Sequence, residues 1–207
     1  MRSRDVTQGA ATKYMGDQLS SGVAPTAGPI IDRPLRVVHV AATANGAQWM
    51  HEMLRELAVR GHDVSALIAG QDGTLAPRLD RDHIPYEVLD LDVLSSRSLL
   101  KVARQLLALV RTLRRLRPDV VHTHLFPSIV LGRIAGWLAD VPVRFSMIPG
   151  TYYLEAPILG DIDAGTAWAD TKVIASCEYT RTLYARHGVA AEQVELIYYS
   201  PDATKFD

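Results

Sequence analysis

Cysteine is nearly absent. Cys177 stands alone among 207 residues, so no disulfide can form within the chain, and a reducing setting fits it. Charge of one sign is absent too. Lys and Arg number 22 against 23 Asp and Glu, a net charge of −1, so nothing pulls the whole chain toward nucleic acid or membrane, and any basic surface must be local. No apolar run approaches the ~20 residues that span a bilayer. Arg2 and Arg4 are not followed by the apolar stretch of a secretory signal. The three spaced glycines of a dinucleotide site, the phosphate loop and the GxSxG elbow are all missing. These gaps argue against a disulfide scaffold, a helical membrane protein, a nicotinamide enzyme and a serine hydrolase.

What remains is an ordinary globular composition, 48% hydrophobic and 22% charged, long enough for one domain with a substantial core. Residues 1–34 stand apart. They are rich in Gly, Ser, Thr and Ala, carry Pro25, Pro29 and Pro34, and read as a flexible leader with a brief helix near 11–19. From Leu35 the pattern changes. Leu35, Val37, Val38 and Val40 make a strand that breaks at residues 41–45. After Gly46, Met50, Met53, Leu54, Leu57 and Ala58 fall three and four apart on one helical face. Gly61 ends that helix, and Asp63–Ile68 reads as a second strand.

The alternation continues to the end. A helical turn at 75–79 precedes a strand at 85–89. A long helix capped by Ser95 or Ser96 runs to Leu116 and stops at Arg117-Pro118. Strands are expected at 119–124, 141–147, 171–176 and 194–198, helices at 127–139, 161–169 and 179–187, and an irregular loop at 148–160. The strands are too apolar for a sheet with one face in water. The expected fold is therefore α/β, a single doubly wound Rossmann-like domain over 35–198 with a parallel sheet covered on both faces. Such sheets bind ligands where their strands end.

Four features could carry chemistry. The first is the turn 43–47, where Gly46 lets backbone approach a ligand and the following helix offers free N–H groups to a phosphate or a sugar hydroxyl, Asn45 standing beside it. A glycine that only permits a tight turn is the plainer alternative. The second is the pair His122 and His124, two apart on a strand and so on one face. A metal would need further ligands, and none is evident at suitable spacing, so one packed and one crevice-lining histidine is preferred. His39 reads as core, and His51, His62, His83 and His187 as surface. The third is the loop after Met147, which gathers Tyr152, Tyr153 and Glu155 with Asp161 and Asp163 nearby. Its carboxylates could accept hydrogen bonds from sugar hydroxyls, or the loop could simply be solvated. The fourth is the helix 96–116. Leu99, Val102, Leu106, Leu109, Leu113 and Leu116 form its apolar stripe, and Arg97, Lys101, Arg104, Arg111 and Arg115 cluster opposite. That face is either solvated, the preferred reading, or a dock for anionic lipid.

Six segments in order resemble the N-terminal domain of a family 4 glycosyltransferase, a retaining enzyme of GT-B fold. They are LRVVHVAATANGAQ, LAVRGHDVSALIAG, IPYEVLDL, RPDVVHTHLFPSIVLGRIAGWLADVPVRFSM, ADTKVIASCEYTRTLYARHGV and VELIYYSPDATKFD, the last resembling the crossover to a second domain, here 199–207. The resemblance implies transfer of a sugar from a nucleotide sugar to a sugar, lipid or small-molecule acceptor, with retention and without a protein nucleophile. It implies a half that mainly binds acceptor, with the donor gripped by a second half that is not in this chain, so that the chain alone would be inactive. It implies no resident cofactor or metal, the nucleotide sugar being a substrate. No nucleic-acid partner is expected. A cytoplasmic location is expected, with the helix 96–116 offering peripheral contact at the inner membrane face.

By the resemblance, Gly46 matches the first-turn glycine near the donor phosphate and sugar, and His124 the second histidine of the strand signature. The chain also departs from the family. Asn45 stands where a glycine is usual, Gln48 where an acid is common, Tyr199-Ser200 where Asn-Gly is usual, and Ile148-Pro149 where a functional histidine often follows the strand. No residue inherits that histidine's catalytic role outright, although Tyr152 and Glu155 are candidates. Asn45, Gly46, His124, Tyr152 and Glu155 are thus the expected substrate-binding residues. The alternative is a non-catalytic binding or partner module with the same fold.

Overall fold

The structure, a computed structural model, describes residues 33–91 and 98–198. All but the last two residues of the leader at 1–34, the brief helix at 11–19, the capping serines Ser95 and Ser96, Arg97, and the crossover at 199–207 lie outside the described residues. The strands are β1 (Arg36–Ala41), β2 (Asp63–Ile68), β3 (Tyr86–Val88), β4 (Val120–His124), β5 (Val143–Met147), β6 (Lys172–Ala175) and β7 (Val194–Leu196). They form one sheet in the order β3-β2-β1-β4-β5-β6-β7, and every neighbouring pair is parallel. Order reverses beside β1: the chain steps outward to β2 and β3, then returns to place β4 on the other side. That reversal opens a crevice at the carboxyl ends of β1 and β4.

Helices α1 (Gln48–Val59) and α2 (Ala76–Arg81) cover one face, where Met50, Leu54 and Leu79 pack on Val37, Val64, Ala66 and Ile68. On the other face α3 (Leu99–Leu116) and α4 (Phe126–Leu138) bury Leu109, Leu113, Leu131 and Ala135 against Val38, Val40 and Val121. The central strands β1, β2 and β4 thus bury both sides, which is why β1 and β2 read as nearly unbroken apolar runs. Gly61 closes α1 at φ 86°, its N–H reaching the Ala58 carbonyl at 2.9 Å while that of His62 reaches Leu57 at 3.1 Å.

Two expectations are corrected. The long helix begins at Leu99, and its cap is Ser98, whose Oγ accepts from the Lys101 N–H at 3.4 Å. Leu99, the first residue of the expected apolar stripe, is 89% exposed, so burial begins a turn later. The segment 148–160 is not an irregular loop. It holds α5 (Tyr152–Glu155) and the start of α6 (Pro157–Thr166), and α7 (Glu178–Arg186) follows β6. Gly160, the last residue of that expected loop, is a packing residue: a Cβ there would lie 2.4 Å from His187 Nε2 and 2.8 Å from the Leu154 carbonyl oxygen. Pro157 starts α6 from inside its first turn, where its missing N–H is harmless.

Candidate functional site

The first turn leaves β1 at the crevice. Gly46 has φ +67°, and a Cβ there would meet nothing within 4 Å, so glycine serves the backbone conformation and leaves open space beside it. Its brace is the segment between β2 and α2. The Gly46 N–H donates to Thr74 Oγ1 at 2.9 Å, the Thr74 N–H donates to Asn45 Oδ1 at 3.2 Å, and the Leu75 N–H donates to the Ala44 carbonyl at 3.1 Å. Gly73 permits the contact, because a Cβ there would sit 2.1 Å from the Ala44 carbonyl oxygen. Asn45 and the Gly46 amide are therefore spent on holding the turn. The N–H groups left for a ligand belong to α1 itself, which no side chain caps and whose first turn holds no acid.

The histidines assemble differently from expectation. His39 on β1 pairs in register with His122 on β4, and His39 Nδ1 lies 2.9 Å from His124 Nε2. The three rings stack and tilt against one another at centroid distances of 4.1–5.0 Å. His124 is fully buried rather than lining the crevice, and His39 is core as read. Burial pushes all three pKa values down: His122 to about 4, and His39 and His124 well below their ordinary value, where neighbouring imidazoles add to the effect. Their candidate ligand nitrogens lie within 4.8 Å of one another. A tetrahedral ion bound at about 2.0–2.1 Å would draw them to about 3.4 Å. The His39–His124 hydrogen bond already uses two of the nitrogens. His39 Nε2 and His124 Nδ1 also lack the acceptors that orient metal-bound rings among the described residues. The arrangement suits a neutral hydrogen-bonded cluster. Beside it a cavity of about 410 Å³ lies between α1 and the sheet, reached by His39, His122 and Phe145.

Tyr152 and Glu155 sit on α5, just past the carboxyl end of β5. Tyr152 is 75% exposed. Tyr153 is half-buried and stacks on Phe126 at 5.0 Å, and Glu155 accepts a hydrogen bond from Thr151 Oγ1 at 2.7 Å. Among the described residues no hydrogen bond joins Tyr152 or Glu155 to the first turn. Asp161 and Asp163 are structural. Asp161 Oδ1 meets His187 Nδ1 at 2.8 Å, and Asp163 is buried against Arg133 at 2.8 Å.

Arg133 was not legible as special in an apolar helix. It is fully buried on α4, with Nε 2.6 Å from Asp170 Oδ2 and Nη2 2.7 Å from Ser146 Oγ. Burial works against its charge, but Asp163 and Asp170 more than offset this and its pKa is raised. The network ties α4, α6 and β5 together behind the crevice.

The model of a glycosyl transferase 4-like domain matches residues 45–200. Among solved structures, Anabaena HepE in complex with UDP and glucose is similar with a TM-score of 0.63 at 18% identity, over 82% of this chain and 46% of that one. The lipopolysaccharide outer core galactosyltransferase WaaB gives 0.62 at 13% identity, over 81% and 46%. Acinetobacter baumannii MurG gives 0.60 at 18% identity, over 82% and 46%. At these identities the likeness is one of fold. The chain spans a little under half the length of each. Among curated proteins no sequence matches.

Proposed function

The chain belongs to the glycosyl transferase 4-like family, and from that premise we propose that it is the acceptor-side half of a GT-B glycosyltransferase, moving a sugar from a nucleotide-sugar donor to an acceptor with retained configuration. The first turn carries the reading: Gly46 leaves open space at the carboxyl end of β1, braced from behind, with the uncapped start of α1 beside it. In this reading the turn is one wall of a cleft, and a donor-binding half supplies the other. The leaving diphosphate is held by N–H donors and positive groups that act most strongly as its charge develops. Tyr152 and Glu155 meet acceptor hydroxyls. No resident metal takes part. The enzyme works in carbohydrate biosynthesis on the cytoplasmic side.

Among the described residues no helix is long and apolar enough to cross a membrane. Peripheral contact is proposed through α3 instead, where Leu99, Leu100 and Leu107 are 89%, 61% and 46% exposed alongside the exposed Arg104 and Arg111. Lys101 and Arg115 contribute less, being paired with Asp90 at 3.3 Å and Glu87 at 2.5 Å.

The test is reconstitution. The chain alone should transfer nothing from a panel of labelled nucleotide sugars, and the chain joined to a donor-binding half should transfer. Gly46→Trp, which fills the open space, should abolish that transfer. A reconstituted pair that stays inert, with Gly46→Trp altering no ligand binding, would replace this reading with the non-catalytic binding module.

A further inference from the structure

We propose that the groove between α1 and α2 binds the phosphate group of a ligand; on the glycosyltransferase reading, that ligand is a phosphate-bearing acceptor. Gln48, His51, Glu52 and Arg55 lie three and four apart along α1, and Arg78 and Arg81 three apart on α2. These six residues line a space of about 250 Å³. That is below the ~300–1,000 Å³ of sites that enclose a whole drug-sized ligand, and it suits the charged group of a larger one. Arg78 fixes the groove's position, since its Nη1 donates to the Gly46 carbonyl oxygen at 3.3 Å. The groove therefore begins at the turn that walls the proposed cleft.

Charge in the groove is unbalanced. His51 Nε2 sits 2.7 Å from Asp82 Oδ2, and Glu52 accepts from Gln48 Nε2 at 3.0 Å. Arg55 and Arg81 have no acceptor among the described residues. Three arginines elsewhere on the surface each have one: Arg60 has Glu56 at 2.9 Å, Arg115 has Glu87 at 2.5 Å and Arg181 has Glu178 at 2.7 Å. The lining thus carries three guanidinium groups, two exposed and a third half-buried at its edge, against the single carboxylate of Glu52. All three cations are arginine, whose planar fork takes two phosphate oxygens at once, whereas lysine offers a point charge.

The test uses the full chain and reads binding directly, without transfer. Inorganic pyrophosphate is titrated calorimetrically, and in a second arm the chain is spun down with phosphatidylcholine vesicles with and without phosphatidic acid. Pyrophosphate should bind, and Arg55→Gln/Arg81→Gln should weaken it at least tenfold with unchanged melting temperature. Arg55→Lys/Arg81→Lys should recover only part of the loss. The control Arg60→Gln/Arg181→Gln should bind as the unaltered chain does. Loss in the pyrophosphate arm alone assigns a soluble phosphate ester, and loss in the vesicle arm assigns a lipid headgroup. A double variant that binds normally in both arms overturns the proposal, as does an equal loss in the control, which would mean undirected charge attraction. Because neither arm needs a donor half, a groove that binds while reconstituted transfer fails overturns the glycosyltransferase reading alone.

Discussion

His39 Nδ1 and His124 Nε2 face each other 2.9 Å apart across adjacent strands, in the buried centre of the sheet. One ring donates and the other accepts, so at least the accepting ring must be neutral, and two protonated rings would break the bond. Their folded pKa values, and that of His122 at about 4, lie below the ordinary 6.5. The unfolded chain therefore binds more protons, and stability falls as pH drops below about 6.5 and levels off only below the folded values. His122 alone should cost about 2 kcal/mol by pH 5. His187, raised by its bonds to Asp161 and Leu154, acts in the opposite sense. Urea midpoints from pH 7.5 to 5 should show the loss, and His122→Gln should remove the share due to His122 while His39 and His124 keep theirs. A flat profile in the unaltered chain would contradict a neutral cluster.

The Arg133 network predicts a large stability effect. Arg133→Leu leaves Asp163 and Asp170 buried without their partner. Removing one member of such a pair costs about 3–5 kcal/mol. Denaturant unfolding should register most of that, and a loss under 1 kcal/mol would mean the cluster relaxes around water.

Two glycines should separate conformation from contact. Gly46→Ala adds a side chain into open space at φ +67°, a strain of about 1 kcal/mol. Gly73→Ala forces a carbon against the Ala44 carbonyl and should cost about 1–3 kcal/mol. Amide exchange at residues 44–46 should quicken in the second variant and barely change in the first.

Cys177 is a half-exposed thiol held at 3.3 Å from Thr180 Oγ1. That hydroxyl, followed by nearby backbone N–H groups, lowers its pKa. Thr180→Val should slow alkylation by iodoacetamide at pH 7.5 several-fold, measured by mass spectrometry on the folded chain. An unchanged rate would show that access, not ionisation, limits the thiol.

Membrane contact through α3 should depend on Arg104 and Arg111 more than on Lys101 and Arg115, whose charges are already matched. Arg104→Glu/Arg111→Glu should lower sedimentation with anionic vesicles at least as much as reversing the paired residues. Vesicle binding indifferent to all four would leave this face solvated.

Strand positions, the parallel sheet and most helices could be read from sequence because they follow from local periodicity: Val37 and Val38 face opposite cores, and Met50 and Leu54 share a helix face. The helices within 148–160 were not legible because what fixes them is long-range: Gly160 admits His187, 27 residues on. The candidate site was legible only in part. Gly46 stands where expected, but its N–H partner is Thr74, 28 residues on, and nothing local marks that. His39 joins His124 across 85 residues. Arg133 could not be placed because its partners, Asp163 and Asp170, lie on segments whose meeting is set by the sheet order. Long-range pairing of polar groups has no period to betray it.

Asn45 and Thr74 hold each other, and this bears on how the cleft wall can be redesigned. Residues 43–48 transplanted into a related scaffold would arrive without their support, and the turn would lose its shape. Exchanging 71–75 while leaving 43–48 untouched would likewise remove the brace, disturbing the wall without altering any residue that faces the cleft. The two segments behave as one heritable unit, and libraries that vary them jointly should yield folded members far more often than libraries that vary either alone.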